Sequence, residues 1–228
     1  MDVFESHFSN ITGNLYYDSE TDTYEMFSNR GVSKHINYLT FQRLFKSMQG
    51  LKSPLIVESG IASAGTRSTY MFNEYVRKYG GRLWSVDINR DLVDNNAGNM
   101  CPATTLVHGD SVQFFKDWAS ENKKADVIYL DSYDLDFYNP DPSGMHGLSE
   151  YNSLKPSIQK GTLMLVDDTP STPYWIDNRD RLYKDMVSFY NQFGFLPGKG
   201  MYILNQVKNA TTLLHNYQLL YRFTDSPV

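Results

Sequence analysis

Leu55-Ile56-Val57-Glu58-Ser59-Gly60-Ile61-Ala62-Ser63-Ala64-Gly65-Thr66-Arg67-Ser68-Thr69 opens the part of the chain where the residue pattern becomes regular. The apolar run at its start reads as a short buried strand. A turn of glycines and small residues follows, and Tyr70, Phe72, Tyr75, Val76 and Tyr79 predict an amphipathic helix over 66–79, stopped by Gly80-Gly81. The alternation then repeats downstream. Leu83-Trp84-Ser85-Val86, Thr104-Thr105-Leu106-Val107, Val127-Ile128-Tyr129-Leu130 and Leu163-Met164-Leu165-Val166 read as strands. Between and after them, helices are expected over 90–98, from a cap at Ser111 through Val112, Phe115 and Trp118, around 149–159, and over 177–193. Short apolar strands alternating with helices predict an α/β fold, Rossmann-like and doubly wound, with a mostly parallel sheet covered on both faces. After Gly194 the helical rhythm stops. Phe193 to Leu204 reads as two strands around Pro197-Gly198-Lys199-Gly200, an antiparallel hairpin at the sheet edge, with the tail 210–223 packing back as helix or strand.

Upstream, residues 1–34 are polar, Tyr-rich and weakly patterned, and read as an irregular arm or cap. Ile36, Leu39, Leu44, Phe45 and Met48 then mark a helix that Gly50 ends. The division expected is an N-terminal arm and helix over 1–50 and the main domain over 51–228. The 228 residues are 41% hydrophobic and 21% charged, which is a globular composition able to form a core without staples. A net charge of −5 disfavours nucleic acid as the main partner, because phosphate neutralisation needs a basic face. The lone Cys101 builds neither an intramolecular disulfide nor a cysteine zinc site. The first 30 residues lack a secretory pattern and no apolar run approaches ~20 residues, so a cytoplasmic protein with no membrane span is expected.

In an open parallel sheet, ligands bind beyond the carboxyl ends of the strands. Here the five strands end in Glu58-Ser59-Gly60, Asp87, Gly109-Asp110, Asp131 and Asp167-Asp168, so each brings a carboxylate toward one rim. The first turn is not GxGxxG, which makes it a weak pyrophosphate cradle. Asp87, 27 residues after Gly60, is placed to accept both ribose hydroxyls of an adenosine ligand, and Asp110-Ser111 to read the adenine edge. Asp131, Asp167 and Asp168 end adjacent strands. Three carboxylates brought together repel unless a cation joins them, and an all-oxygen set suits Mg²⁺ or another hard divalent ion.

This order of motifs resembles the class I S-adenosylmethionine-dependent methyltransferases. More narrowly, residues 54–170 are similar to metal-dependent O-methyltransferases of the catechol O-methyltransferase type and to sugar O-methyltransferases of antibiotic pathways. The matching segments are Val57-Glu58-Ser59-Gly60 with Gly65-Thr66-Arg67-Ser68, Ser85-Val86-Asp87, His108-Gly109-Asp110-Ser111, Leu130-Asp131-Ser132-Tyr133-Asp134, and Lys160-Gly161 through Asp167-Asp168. The resemblance implies a seven-stranded sheet with a reversed last strand. It implies that Glu58, Gly60, Gly65 and Ser68 belong to the cofactor loop at the methionine end, Asp87 to the ribose, Ser111 to the adenine and Tyr133 to the face of the adenine ring. Asp131, Asp167 and Asp168 become metal ligands. The general base is open between Asp134, Asp131 as a carboxylate beside the metal, and His146 in the polar segment 132–148. Catechol-type relatives place a lysine where Asp134 stands.

The reading expected is divalent-metal-assisted methyl transfer from S-adenosylmethionine to a hydroxyl of a small molecule, by a protein that is a possible homodimer. Three alternatives stay open: metal-independent transfer to nitrogen or a peptide, a nicotinamide oxidoreductase, and a non-catalytic domain that binds a nucleoside or a partner. Aromatic residues of the arm and of segments 132–148 and 169–178 are candidate substrate walls, among them Tyr16, Tyr24, Phe27, Phe137, Tyr138 and Tyr174.

Overall fold

The computed structural model describes residues 2–28, 30–61 and 65–227. Helix α1 (Val3–Phe8) leads into strands β1 (Leu15–Asp18), β2 (Thr23–Met26) and β3 (Val32–Lys34), then helix α2 (Tyr38–Met48). The main body continues with β4 (Leu55–Ser59), α3 (Ser68–Tyr79), β5 (Arg82–Asp87), α4 (Arg90–Ala97), β6 (Thr104–His108), α5 (Ser111–Ser120), β7 (Val127–Leu130) and α6 (Asp141–Leu154). It closes with β8 (Leu163–Val166), α7 (Arg181–Phe193), α8 (Ile203–Gln206), β9 (Ala210–His215) and β10 (Leu219–Phe223).

Seven strands form one sheet in the order β6-β5-β4-β7-β8-β10-β9. The first five run parallel, β10 is antiparallel to β8, and β9 is antiparallel to β10. The predicted mostly parallel sheet with an antiparallel edge hairpin is therefore present. Strands β7 and β8 are buried at every residue, which is why they read as unbroken apolar runs. Alternate residues still divide between two cores, as the pleat demands. Val127, Tyr129, Leu163 and Leu165 join Phe41, Leu44, Met71 and Phe72 on one face. Ile128, Leu130, Met164 and Val166 join Phe115, Trp118, Tyr151 and Ile203 on the other. Connections leave β4 toward β5 and β6 on one side, and the chain returns at β7 on the other. The crevice between the ends of β4 and β7 is thus the switch point of the sheet.

Four expectations change. The described residues of 1–34 are built rather than irregular: β2-β1-β3 form a small antiparallel sheet, and Val3, Phe4, Phe8, Leu15 and Met26 share the core that covers the main sheet. Their tyrosines mask an alternation only three or four residues long. The edge hairpin is β9–β10, not 193–204. Leu219, Leu220, Tyr221 and Phe223 are buried against β8, whereas the Pro-Gly-Lys-Gly segment packs as a loop before α8. Helix α6 begins at Asp141, eight residues earlier than expected, because Gly144 and Gly147 weaken its helical signal. Both glycines are there for closeness: a Cβ on Gly144 would lie 2.7 Å from Met201 Cε, and one on Gly147 2.6 Å from the Lys199 carbonyl oxygen. Finally, Asp110 rather than Ser111 caps α5, its Oδ1 accepting from Gln113 N at 2.8 Å.

Candidate active site

Gly60 ends β4 with φ +83°, and a Cβ there would lie 2.2 Å from the carbonyl oxygen of Asp131 at the end of β7. Only glycine permits this approach, and it ties the two halves of the switch point together. One cavity of about 250 Å³ opens beside it, lined by Gly60, Val86, Asp87, Ile88, Asp110, Ser111, Ser132, Tyr133 and His146. Asp87 stands at its rim. Its Oδ2 accepts from Ile61 N at 2.8 Å and its Oδ1 from Asn89 N at 2.7 Å, so the carboxylate is fixed while each oxygen retains a second lone pair. His146 lies on α6, with Nε2 3.0 Å from Ser111 Oγ and 3.4 Å from Glu150 Oε1. The Glu150 carboxylate raises the His146 pKa against the lowering effect of burial. Ser132 Oγ donates to the same Glu150 oxygen at 2.8 Å. The Tyr133 ring, half exposed, sits 5.5 Å from the His146 ring.

Next to this cavity, beyond Gly60, oxygens of Asp131, Asp167 and Asp168 lie within 4.8 Å of one another. Both oxygens of Asp167 have donors: Oδ1 accepts from Gln218 Nε2 at 2.8 Å and Asn37 Nδ2 at 3.2 Å, and Oδ2 from Tyr129 OH at 2.9 Å. The same phenol reaches Asp131 Oδ2 at 3.1 Å. Asp168 adopts φ +39°, in the left-handed region that Asp tolerates better than most residues. Lys199 Nζ sits among the three carboxylates, 2.6 Å from Asp131 Oδ1 and 3.0 Å from Asp168 Oδ2. Lys199 is 4% exposed. Burial alone would lower the pKa of its ammonium, and the carboxylates overcome that and raise it. Burial and the neighbouring Asp167 push Asp131 well above the usual carboxylate range, while Lys199 pulls it back. Asp168 is raised for the same reasons.

No family model matches the chain, and no curated protein sequence does. Solved structures do match. The chain is similar to MycE methyltransferase from the mycinamycin biosynthetic pathway in complex with Mg and SAH, with a TM-score of 0.52 and 13% identity over 83% of this chain and 50% of that one. The same enzyme in complex with Mg, SAH and mycinamycin VI gives a TM-score of 0.51 and 15% identity, over 83% and 49% of the two chains. SAH-bound methyltransferase PaMTH1 from Podospora anserina gives a TM-score of 0.52 and 13% identity, over 82% and 79%. The chain has the fold of the class I S-adenosylmethionine-dependent methyltransferases. It spans about half the length of the MycE chains it matches.

Within this methyltransferase fold, the residues expected at the cofactor divide in two. Gly60, Asp87, Asp110, Ser111 and Tyr133 converge on one cavity, and His146 joins them there. Glu58 and Ser68 do not reach it. Glu58 is wholly buried, where Ser68 Oγ at 2.6 Å, Thr69 Oγ1 at 2.7 Å and Ser85 Oγ at 2.6 Å donate to its carboxylate. It lies on the strand itself, so the pleat aims it inward at the first turn of α3, whose N-terminus favours a negative charge. Desolvation nevertheless pushes it up to about 7. Gly65 faces His35 instead, at 4.0 Å from a Cβ built there, and Ala62, Ser63 and Ala64 of the same turn lie outside the described residues. Asp134 is exposed and stands apart from the carboxylate cluster.

The three expected metal ligands do come together, with the Lys199 ammonium bound to two of them. The ammonium holds oxygens of two of the three carboxylates, and both oxygens of Asp167 already have donors. Lys199, Tyr129, Gln218 and Asn37 were not among the sequence candidates. Tyr129 was within reach of sequence reasoning, since it lies two residues before Asp131 on one strand and therefore on the same face. Lys199 carried a weaker signal, its two flanking glycines.

Proposed function

We propose that this chain binds S-adenosylmethionine at the switch point and transfers its methyl group to a hydroxyl of a small molecule. The observation that carries the reading is the convergence of Gly60, Asp87, Asp110, Ser111, Tyr133 and His146, from five separate segments, on one cavity beside Gly60. The SAH bound in the MycE and PaMTH1 structures supports it. In this reading Asp87 holds the ribose hydroxyls, and Ser111, Tyr133 and His146 surround the adenine. The sulfonium end runs past Gly60 toward Asp131.

A sulfonium methyl is already a strong electrophile, so the protein's task is to orient it and the acceptor in line. The acceptor oxygen forms a bond to the methyl carbon as the carbon–sulfur bond breaks, and that electron pair stays on sulfur. The acceptor proton passes to a base. Asp131, whose backbone carbonyl packs against Gly60 beside the cavity, is the group we assign to receive it. The exposed Asp134 is not positioned for that step, and His146 is assigned to the cofactor.

Calorimetric titration of S-adenosylmethionine into the purified chain tests the reading. Micromolar binding that Asp87→Ala weakens is the expected result. Absence of heat, together with an unchanged melting temperature, refutes it.

A further inference from the structure

We propose that the Lys199 ammonium is the resident cation of the Asp131, Asp167 and Asp168 cluster, standing by covalent attachment where a divalent metal would otherwise bind. The first argument is electrostatic. Three clustered carboxylates require positive charge, and a buried lysine persists only when it is paired and hydrogen-bonded. Each supplies what the other lacks, at 2.6 and 3.0 Å.

The second argument is that the loop is built for this delivery. A Cβ on Gly198 would lie 2.5 Å from the Asp168 carbonyl oxygen, and one on Gly200 2.8 Å from Thr169 Oγ1, so only glycine fits on either side of Lys199. Lys199 N donates to Asp168 O at 3.0 Å and Gly200 N to Thr169 Oγ1 at 2.9 Å, while Thr169 Oγ1 donates to Asp167 O at 2.7 Å. On the opposite side Gly147 of α6 admits the Lys199 carbonyl. The backbone that carries the ammonium is thus bonded to the segment that carries two of its carboxylates. Ammonium and cluster form one unit rather than a chance surface pair.

The third argument is coordination. A hard divalent ion needs about six oxygens, and with Lys199 in place the ammonium holds Asp131 Oδ1 and Asp168 Oδ2. The space beside Lys199, between Leu130, Ser143, Gly147 and Glu150, has no room for a water molecule. The consequence for catalysis, methyl transfer that proceeds in the presence of a chelator, rests on the function proposed above. The occupancy of the cluster does not.

The test is a titration of Mn²⁺ into the full chain followed by electron paramagnetic resonance, which reports free Mn²⁺. Wild type is expected to leave the Mn²⁺ free. Lys199→Met removes the unit charge that lies 2.6 and 3.0 Å from two of the carboxylates, and is expected to bind one Mn²⁺ per chain with affinity raised roughly a hundredfold or more. Mg²⁺ is expected to raise the melting temperature of Lys199→Met and leave wild type unchanged.

Stoichiometric binding of Mn²⁺ by wild type, lost in Asp168→Asn, overturns the proposal. This arm needs no folded Lys199 variant. A folded Lys199→Met that ignores Mn²⁺ overturns it as well. Calorimetry with S-adenosylmethionine on the same wild-type sample, in EDTA, separates the two readings: a chain that ignores both ligands refutes the proposed function and leaves the lysine assignment standing.

Discussion

Replacing Glu58 with Gln is expected to flatten the dependence of stability on pH. Glu58 is buried completely and its carboxyl is raised from 4.5 to about 7 by desolvation, against the opposing effect of the hydroxyls of Ser68, Ser85 and Thr69. A raised carboxyl means that the folded state keeps its proton longer than the unfolded chain does. Stability from this group is therefore full below about pH 4.5 and falls as pH rises through about 7. The shift corresponds to about 3 kcal/mol over the whole window, of which about 2.5 kcal/mol falls between about pH 5 and pH 8. Glutamine keeps the shape and cannot ionise. Its amide meets hydroxyls that rotate to donate or accept, so the cost of exchange is a constant independent of pH. Asp131 and Asp168 are raised too and act in the same direction, but they are common to both proteins and cancel in the comparison. Urea unfolding at the two pH values measures the effect. Wild type is expected to lose about 2.5 kcal/mol more than Glu58→Gln on going from pH 5 to pH 8. Parallel profiles for the two proteins would refute the placement of this carboxyl in a dry interior.

Further expectations concern the rest of the site. Asp87→Asn removes a charge while keeping an oxygen for a loop amide, so S-adenosylmethionine affinity, read by calorimetry, is expected to fall about tenfold to a hundredfold with little change in melting temperature. Gly60→Ala forces a methyl to within 2.2 Å of the Asp131 carbonyl oxygen at φ +83°, and chemical denaturation is expected to show a loss of about 2 kcal/mol or more. Tyr129→Phe deletes the hydroxyl that serves both Asp131 and Asp167. A loss of about 1–3 kcal/mol is expected in the same assay, and a neutral result would mean that the carboxylates do not depend on that donor.

The order of strands and helices was legible in the chain because each buried parallel strand must be apolar on both faces. Runs such as Leu163-Met164-Leu165-Val166 therefore stand out from any neighbour. The strand ends were legible for a related reason: a carboxylate at or just past the end of an apolar run lies on the rim of the sheet, which placed Asp87, Asp110, Asp131, Asp167 and Asp168. The same rule misplaced Glu58, one residue inside its strand, because whether a side chain faces the rim or the interior depends on pleat parity and on the α3 turn above it.

What tertiary structure alone decided came from pairs distant in sequence. Lys199 meets Asp131 across 68 residues, and Gln218 meets Asp167 across 51. Gly144 and Gly147 look like helix breakers until the loop they admit is known. A glycine or a lysine has no periodicity of its own; its role is set by what packs against it. Local pattern was enough for the five parallel strands, their rim and the gathering of three carboxylates there. Only the folded chain decided which cation they hold, because that choice depends on a loop whose position is set by backbone contacts and not by any local pattern.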